Sequence, residues 1–251
     1  MAATPGYRIA TLWGEDHPRL GEVATAAVDP YAALALSRGG YPKAYAHLDP
    51  NEDGALVSTD GERWLLAVAD GHNGFDAARA AQRAVADVAQ SVLAAAAIAP
   101  EDALRGAFTA ARTAVTATVG ELDGQRRDSG TALSIAVVTP GRLYAATLGD
   151  TVVLRIKRGR PGRTTEDVTD SGPFLRPYGP MPKPGSCRLR HGDRVVLASD
   201  GLVDFLGKDW RQRCALTANS ADPAAAARTL TEQACAGGAG DNVTVVVFGP
   251  A

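Results

Sequence analysis

The chain has little cysteine, no concentrated positive charge and no long apolar segment. Its three cysteines, Cys187, Cys214 and Cys235, are widely spaced and form no Cys-x-x-Cys pair, which excludes a disulfide framework and favours a reducing compartment. No apolar stretch approaches the ~18 residues of a membrane span, and the N-terminal region lacks a basic segment followed by an apolar core. The net charge is −2, so neither a nucleic-acid nor a membrane partner is indicated. We expect a cytoplasmic, monomeric globular protein.

Several catalytic motifs are also missing. No cysteine is followed six residues later by an arginine, which excludes the cysteine-phosphatase loop. There is no Gly-x-x-x-x-Gly-Lys-Ser/Thr loop, no His-Glu-x-x-His and no Gly-x-Ser-x-Gly. The glycine-rich residues 237–240 precede a predicted strand rather than a helix, so they cannot present a helix N-terminus to a phosphate.

The sequence does contain aspartates at the ends of apolar runs. Such aspartates stand at four places: Asp70-Gly71-His72 after residues 64–69, Gly149-Asp150 after 143–148, Asp200-Gly201 after 195–199, and Asp241-Asn242 before 243–248. Each Asp-Gly alone would more often be a turn than a site. Buried strands that all end in a carboxylate instead predict a cluster of hard oxygen ligands for divalent cations.

The order of the predicted elements favours an α+β fold. Apolar runs predict strands at 31–37, 54–58, 64–69, 131–139, 142–148, 152–156, 194–199 and 243–248. Alanine-rich or amphipathic segments predict helices at 75–97, 100–120, 202–206 and 223–235. Short connections between neighbouring strands allow only antiparallel pairing. Residues 157–185 are expected to form an exposed excursion, and residues 1–30 an N-terminal extension of unassigned role before a catalytic domain at 31–251.

Six motifs, taken together and in order, resemble the metal-dependent protein phosphatases of type 2C, in a bacterial-type single-domain form. They are Asn51-Glu52-Asp53, Asp70-Gly71-His72, Ser129-Gly130-Thr131, Leu148-Gly149-Asp150, Gly192-Asp193 leading to residues 198–204, and Gly240-Asp241-Asn242-Val243-Thr244. The resemblance covers about residues 31–249. It implies an αββα sandwich, in which two antiparallel sheets flanked by helices hold the metals at one end.

The resemblance also implies a core of two Mn²⁺ or Mg²⁺ ions. Asp70 would bridge both ions, and Gly71 would offer its carbonyl to one of them. Asp200 and Asp241 would bind the other ion. Two cations about 4 Å apart lower the pKa of a bridging water and create a hydroxide nucleophile for phosphomonoester hydrolysis.

Further roles follow from the same resemblance. Glu52 and Asp53 match an acidic pair that acts near the metals, largely through water. Asp150, together with Asp200 and Asp204, matches a third, weaker metal site. His72, with a reference pKa of ~6.5, is suited to protonate the leaving serine or threonine alkoxide.

The chain departs from the family pattern at the residue that grips the substrate phosphate. The family usually places an arginine four residues before the glutamate of the acidic pair, and here that residue is Leu48. We expect Lys43, Arg38 or His47 to replace it, because the Gly39-Gly40 loop could fold one of them back over the metals. Lys43 is preferred, since its long flexible stem can reach from a displaced backbone. The substrate-selecting loop after residue 156 is also short.

The sequence leaves open two alternatives to a serine/threonine protein phosphatase. A catalytically silent relative would serve as a binding or regulatory module, and the same metal site could hydrolyse a small phosphorylated metabolite. Silent relatives typically lose metal aspartates, whereas this chain keeps them together with His72. The sequence therefore favours an active enzyme whose partner is a phosphorylated protein.

Overall fold

Two antiparallel sheets packed face to face form the centre of the molecule. The structure, a computed structural model, describes residues 6–43, 47–94, 98–158, 165–167 and 172–249. Its strands are β1 (Arg8–Trp13), β2 (Val23–Val28), β3 (Ala32–Ser37), β4 (Gly54–Thr59), β5 (Trp64–His72), β6 (Gly130–Thr139), β7 (Arg142–Leu148), β8 (Val152–Ile156), β9 (Thr165–Asp167), β10 (Gly185–Arg188), β11 (Arg194–Ala198) and β12 (Val243–Phe248). Its helices are α1 (Asp76–Ala94), α2 (Pro100–Gly120), α3 (Asp200–Phe205), α4 (Trp210–Ser220) and α5 (Pro223–Ala236).

Each sheet contains six strands. The first has the order β1-β4-β5-β6-β7-β10, and the second has the order β2-β3-β12-β11-β8-β9. Side chains alternate between the faces of a strand, so Leu66 and Val68 of β5 point into the interface between the sheets, where they join Leu197 of β11. Leu65 and Ala67 point to the opposite face of the first sheet. This two-sided burial explains why β5 is a continuous apolar run.

Helices cover the outer face of each sheet. Helices α1 and α2 pack on the first sheet, with Val85 and Phe108 fully buried there. Helices α3, α4 and α5 pack on the second sheet around Leu202, Cys214 and Leu230. The predicted α+β sandwich with αββα layers is confirmed. None of the helices in the described part of the chain has the length and apolar character of a bilayer-spanning segment.

The N-terminal residues 8–28, to which the sequence analysis assigns no role, contribute a strand to each sheet. Strand β1 pairs with β4 along its whole length, and β2 pairs with β3 in the same way. The boundary expected at residue 30 would therefore divide β1 and β2 from the strands to which they are hydrogen-bonded. The chain enters the first sheet and crosses to the second before it reaches β3.

Residues 172–175 correct the expectation of an exposed excursion over 157–185. Leu175 is fully buried and belongs to the core under the first sheet. Its backbone N–H donates to the carbonyl of Thr131 at 2.7 Å, and the Thr131 N–H donates to the Leu175 carbonyl at 3.1 Å. The described end of this segment thus returns to the end of the sandwich at which β5 finishes. Residues 95–97, the last three of the helix predicted for 75–97, lie outside the described residues.

Candidate metal centre

Three aspartates from different elements converge at one end of the sandwich. Asp70 lies near the end of β5, Asp150 lies in the turn between β7 and β8, and Asp200 is the first residue of α3 directly after β11. Each offers a carboxylate oxygen, and these oxygens all lie within 4.8 Å of one another. The strand ends bring together residues that are 130 positions apart in the sequence, as the apolar-run pattern predicts.

Asp53 adds a buried carboxylate with one satisfied and one unsatisfied oxygen. Its Oδ2 accepts a hydrogen bond of 2.7 Å from the hydroxyl of Thr244 on β12. Its Oδ1 is buried and has no hydrogen-bond partner among the described residues. Leaving a buried acceptor unpaired costs about 1–3 kcal/mol, and more when it is charged. A cation beside Asp53 would supply the missing partner.

The carboxylates raise one another's pKa. Burial, followed by the charges of Asp53, Asp200 and Asp241, holds the pKa of Asp70 well above its usual range. Burial together with the charge of Asp241 raises the pKa of Asp200 to about 7. Burial also raises the pKa of Asp53 to about 7, although the Thr244 hydrogen bond opposes it. The cluster therefore needs added positive charge to be fully ionised at neutral pH.

The donor set fits Mg²⁺ or Mn²⁺. All the candidate ligands are oxygens, and these ions prefer oxygen donors. A cavity of about 90 Å³ opens at the cluster, lined by His47, Glu52, Asp70, Gly71, His72, Asn73, Asp150, Phe174, Asp200 and Asp241. Gly71 has no room for a side chain, because a Cβ there would lie 2.6 Å from the carbonyl oxygen of Glu52. Close packing against Glu52 therefore requires glycine at the position that follows Asp70.

Glu52 shapes the loop before β4 through one of its oxygens. Its Oε1 accepts backbone hydrogen bonds from Leu48 at 3.2 Å, Asp49 at 3.0 Å and Gly74 at 3.0 Å. The Glu52 backbone N–H donates to Oδ1 of Asn242 at 2.9 Å. Glu52 therefore lines the cavity and also fixes the loop that carries Asp53.

Lys43 is buried beside the acidic residues. Its Nζ lies 3.0 Å from Oδ1 of Asp241 and 3.6 Å from Oε2 of Glu52, and its side chain is only 5% exposed. Burial lowers the pKa of Lys43, but the charges of Asp241 and Glu52 outweigh burial and raise it. The backbone of Gly40 donates to the carbonyl of Ala239 at 2.9 Å, which folds this loop back against the segment that carries Asp241.

The other two candidates for holding a phosphate lie in different places. His47 lines the cavity. Arg38 does not belong to the described lining residues, and its Nη1 donates to the carbonyl of Pro18 at 2.8 Å. Asp204, on the exposed side of α3, is close enough for its charge to raise the pKa of Asp150 and Asp200.

His72 lies at the mouth of the cavity. Its ring stacks on Phe174 with the centroids 5.1 Å apart and the planes 16° apart. The sequence pattern gave no reason to select Phe174, which stands in a segment rich in proline and glycine. Thr131 belongs to the motif Ser129-Gly130-Thr131, and its hydroxyl donates to the carbonyl of Asp70 at 2.8 Å.

A family model described as "Protein phosphatase 2C" matches residues 43–233 of the chain. The chain belongs to the protein phosphatase 2C family. The probable protein phosphatase 2C 76 of Arabidopsis thaliana is 28% identical over 157 residues, which cover 48% of this chain and 37% of that protein. The chain thus matches well under half the length of this curated relative.

Solved structures share the fold over most of the chain. The catalytic domain of the serine/threonine protein phosphatase PstP, in complex with two manganese ions, superimposes with a TM-score of 0.71 at 23% identity, covering 90% of this chain and 98% of that one. The Ser-Thr phosphatase MsPP of Mycobacterium smegmatis, in complex with cacodylate, gives a TM-score of 0.66 at 26% identity, covering 88% of this chain and 98% of that one. The sandwich is therefore that of bacterial members of this family.

Proposed function

We propose that this family member is an active metal-dependent serine/threonine protein phosphatase, which hydrolyses phosphomonoesters of phosphorylated proteins. The observation that carries this proposal is the convergence of Asp70, Asp150 and Asp200 beside the unpaired oxygen of Asp53. A silent binding module would have no need for such a cluster, because its mutual repulsion and burial cost stability.

The residues assigned to the metals are those that meet at this end of the sandwich. Asp70, Asp200, Asp241 and Asp53, with the carbonyl of Gly71, would hold two Mn²⁺ or Mg²⁺ ions. A third, weaker ion would lie between Asp150, Asp204 and Asp200. When bound, such ions lower the pKa of a water molecule and stabilise charge on a phosphoryl group.

His72 supplies the proton in this proposal. Its ring stands at the cavity mouth, where the leaving oxygen of a phosphoserine or phosphothreonine would emerge. Stacking on Phe174 restricts the ring orientation. An alkoxide is a poor leaving group, and an imidazolium within reach can protonate it as the bond breaks.

Lys43 and His47 are the candidates near enough to hold the phosphate. Lys43 lies against Asp241 and Glu52, so it would have to turn from these carboxylates toward the cavity when substrate binds. His47 already lines the cavity. Arg38 remains a weaker candidate, because its guanidinium is bound to the carbonyl of Pro18. A cytoplasmic location and a monomeric state are part of the same proposal.

The test is turnover of a phosphothreonine peptide and of an aryl phosphate, each measured with Mn²⁺, after chelation, and after Mn²⁺ is restored. We expect activity only with the metal. Asp70→Asn should abolish activity, whereas Asp87→Asn, the same change at an exposed position on α1, should not. Hydrolysis of the aryl phosphate alone would favour the small-molecule alternative. Full activity of Asp70→Asn would refute the metal assignment.

A further inference from the structure

A basic pocket lies at the opposite end of the sandwich from the metal centre. Strand β8 begins two residues after Asp150 and ends at Ile156, so the strand alone separates the two ends by about 13 Å at a rise of ~3.3 Å per residue. The pocket there has a volume of about 280 Å³. Its lining consists of Arg155, Lys157, Arg158, Arg190, His191 and Asp193. The protein as a whole has a net charge of −2, so this concentration of positive charge is local.

Asp193, the one acid among the described lining residues of this pocket, accepts hydrogen bonds on both oxygens. Oδ2 of Asp193 accepts hydrogen bonds from Nε and Nη2 of Arg155 at 2.9 and 2.7 Å and from the backbone of Arg190 at 3.0 Å. Its Oδ1 accepts the backbone N–H of Arg158 at 3.2 Å. Asp193 therefore fixes the backbone of the pocket and neutralises Arg155, but it does not neutralise the side chains of Arg158 and Arg190.

Arg158 and Arg190 are positioned to bind an anion. Both are exposed, and within the described residues neither side chain forms a salt bridge. The stem of Arg158 crosses Gly192, where an added Cβ would lie 2.4 Å from Cδ of Arg158. Gly192 has a φ of +84°, a conformation that favours glycine. The turn is thus built to let the Arg158 side chain lie across it.

A partly apolar hollow adjoins the basic pocket, with Glu62 among its lining residues. It has a volume of about 300 Å³, and Arg190 and His191 line both spaces. Its floor includes Trp64 and Phe248, whose ring centroids are 5.3 Å apart, together with Leu189. A ligand with an anionic group and an attached apolar or heterocyclic part could occupy both spaces at once.

We propose that this distal end binds a phosphorylated organic ligand of about the size of a nucleotide. Guanidinium groups recognise phosphate oxygens through paired, charge-assisted hydrogen bonds, so Arg158 and Arg190 hold the phosphate. The organic part lies over the hollow beside Leu189. This site is separate from the metal centre and does not depend on the function proposed for it.

The test is calorimetric titration of the full chain with ADP at physiological ionic strength, in the presence of a chelator so that the carboxylate cluster holds no cation that could attract phosphate. We expect one binding site per chain. Arg158→Ala/Arg190→Ala should weaken the binding at least tenfold. A matched double variant, Lys208→Ala/Arg213→Ala, removes two exposed positive charges elsewhere and should leave the affinity unchanged. Inorganic pyrophosphate should bind more weakly than ADP, because it does not reach the hollow.

Three results would overturn the proposal. The first is no detectable ADP binding to the wild-type chain. The second is equal weakening by both double variants, which would indicate a general effect of net charge. The third is equal affinity for ADP and pyrophosphate, which would show that the hollow takes no part. Circular dichroism and the melting temperature of each variant establish that the fold is kept, since both arginines are exposed.

Discussion

Lys43 places a buried positive charge against the carboxylates of Asp241 and Glu52. Its ammonium contacts Asp241, a predicted metal ligand, at 3.0 Å. An ammonium and a divalent cation cannot share the same carboxylate oxygen at full strength, because both seek the same lone pairs and repel each other. The metal-free cluster is thus stabilised by a group that metal binding must displace or push aside.

Replacing Lys43 by methionine should lower the stability of the metal-free protein and increase the stabilisation that Mn²⁺ provides. The metal-free protein should lose ~3 kcal/mol of stability, because buried carboxylates lose their partner. The stabilisation produced by added Mn²⁺ should increase, because the ion no longer competes with the ammonium. Thermal unfolding with chelator and with graded Mn²⁺ measures both effects, and Lys208→Met, at an exposed position, is the control. A smaller Mn²⁺-induced shift in Lys43→Met would contradict this role.

His72 gives a second prediction, which concerns the leaving group. His72→Gln should lower kcat for an alkyl phosphate by about 10²-fold, within the usual range for loss of a general acid. The loss for an aryl phosphate should be much smaller, because a phenolate leaves without protonation. Steady-state kinetics on the two substrate classes make the comparison. Equal losses would assign His72 a structural part, for example through its contact with Phe174.

Among the larger elements, the loop that carries the acidic pair is held from both sides. Glu52 binds its backbone, and Arg126 binds its side chain at Asp49 with Nη2 at 2.8 Å. The same guanidinium donates to Asp76 at the start of α1. Arg126 therefore connects three elements: the loop before β4, helix α1 and the turn before β6. Arg126 contacts none of the candidate metal ligands in these hydrogen bonds and acts on them through the loop that it holds.

Arg126→Ala should loosen this loop without removing any candidate ligand. We expect Mn²⁺ affinity to fall several-fold, with a loss of stability of ~1 kcal/mol, because the arginine is partly exposed. Arg126→Lys should restore part of the affinity through a single contact. Arg127→Ala, at a neighbouring residue whose side chain is 68% exposed, should have no effect. Calorimetric Mn²⁺ titration separates the variants, and unchanged affinity in Arg126→Ala would remove Arg126 from the metal centre.

Strongly patterned elements could be predicted from the sequence, and weakly patterned ones could not. The strands at 142–148 and 152–156 have the predicted bounds, because a short turn that contains glycine precedes each of them. Helix α4 was missed because it buries only small residues, Cys214, Ala215 and Ala218, and carries no strong apolar stripe. Strands β1 and β2 gave weak signals because they are edge strands, with many half-exposed positions.

The candidate site could be predicted as a set of residues but not as a geometry. Aspartates after apolar strands are visible in the sequence, and the strand ends place three of them within 4.8 Å. The contact of Lys43 with Asp241 depends on how the loop at Gly40 folds against Ala239, which no local pattern specifies. The stacking of Phe174 on His72 likewise depends on the tertiary return of a loop.

Across the whole molecule, charge separates along the sandwich. The carboxylates gather at one end, and the arginines around Asp193 gather at the other. At the basic end, the buried pair of Arg155 and Asp193 joins the end of β8 to the turn before β11. Burial opposes ionisation of Asp193, but hydrogen bonds from Arg190, Arg155 and Arg158 outweigh it and hold its pKa below the usual range. A carboxyl whose pKa is lower in the folded than in the unfolded state stabilises the fold above the unfolded value of ~3.9, and this contribution disappears as the pH falls through the folded value.

Asp193→Asn should therefore destabilise the whole fold in a pH-dependent way. At neutral pH we expect a loss of ~3 kcal/mol, because the buried Arg155 loses the carboxylate charge that accepts two of its hydrogen bonds. The difference between wild type and variant should stay constant down to about pH 4 and shrink below it, as the wild-type carboxylate also becomes protonated. Urea unfolding in a chelator across this pH range tests the prediction, with Asp87→Asn as an exposed control. A difference that does not change with pH would mean that Asp193 acts through its hydrogen bonds alone and not through its charge.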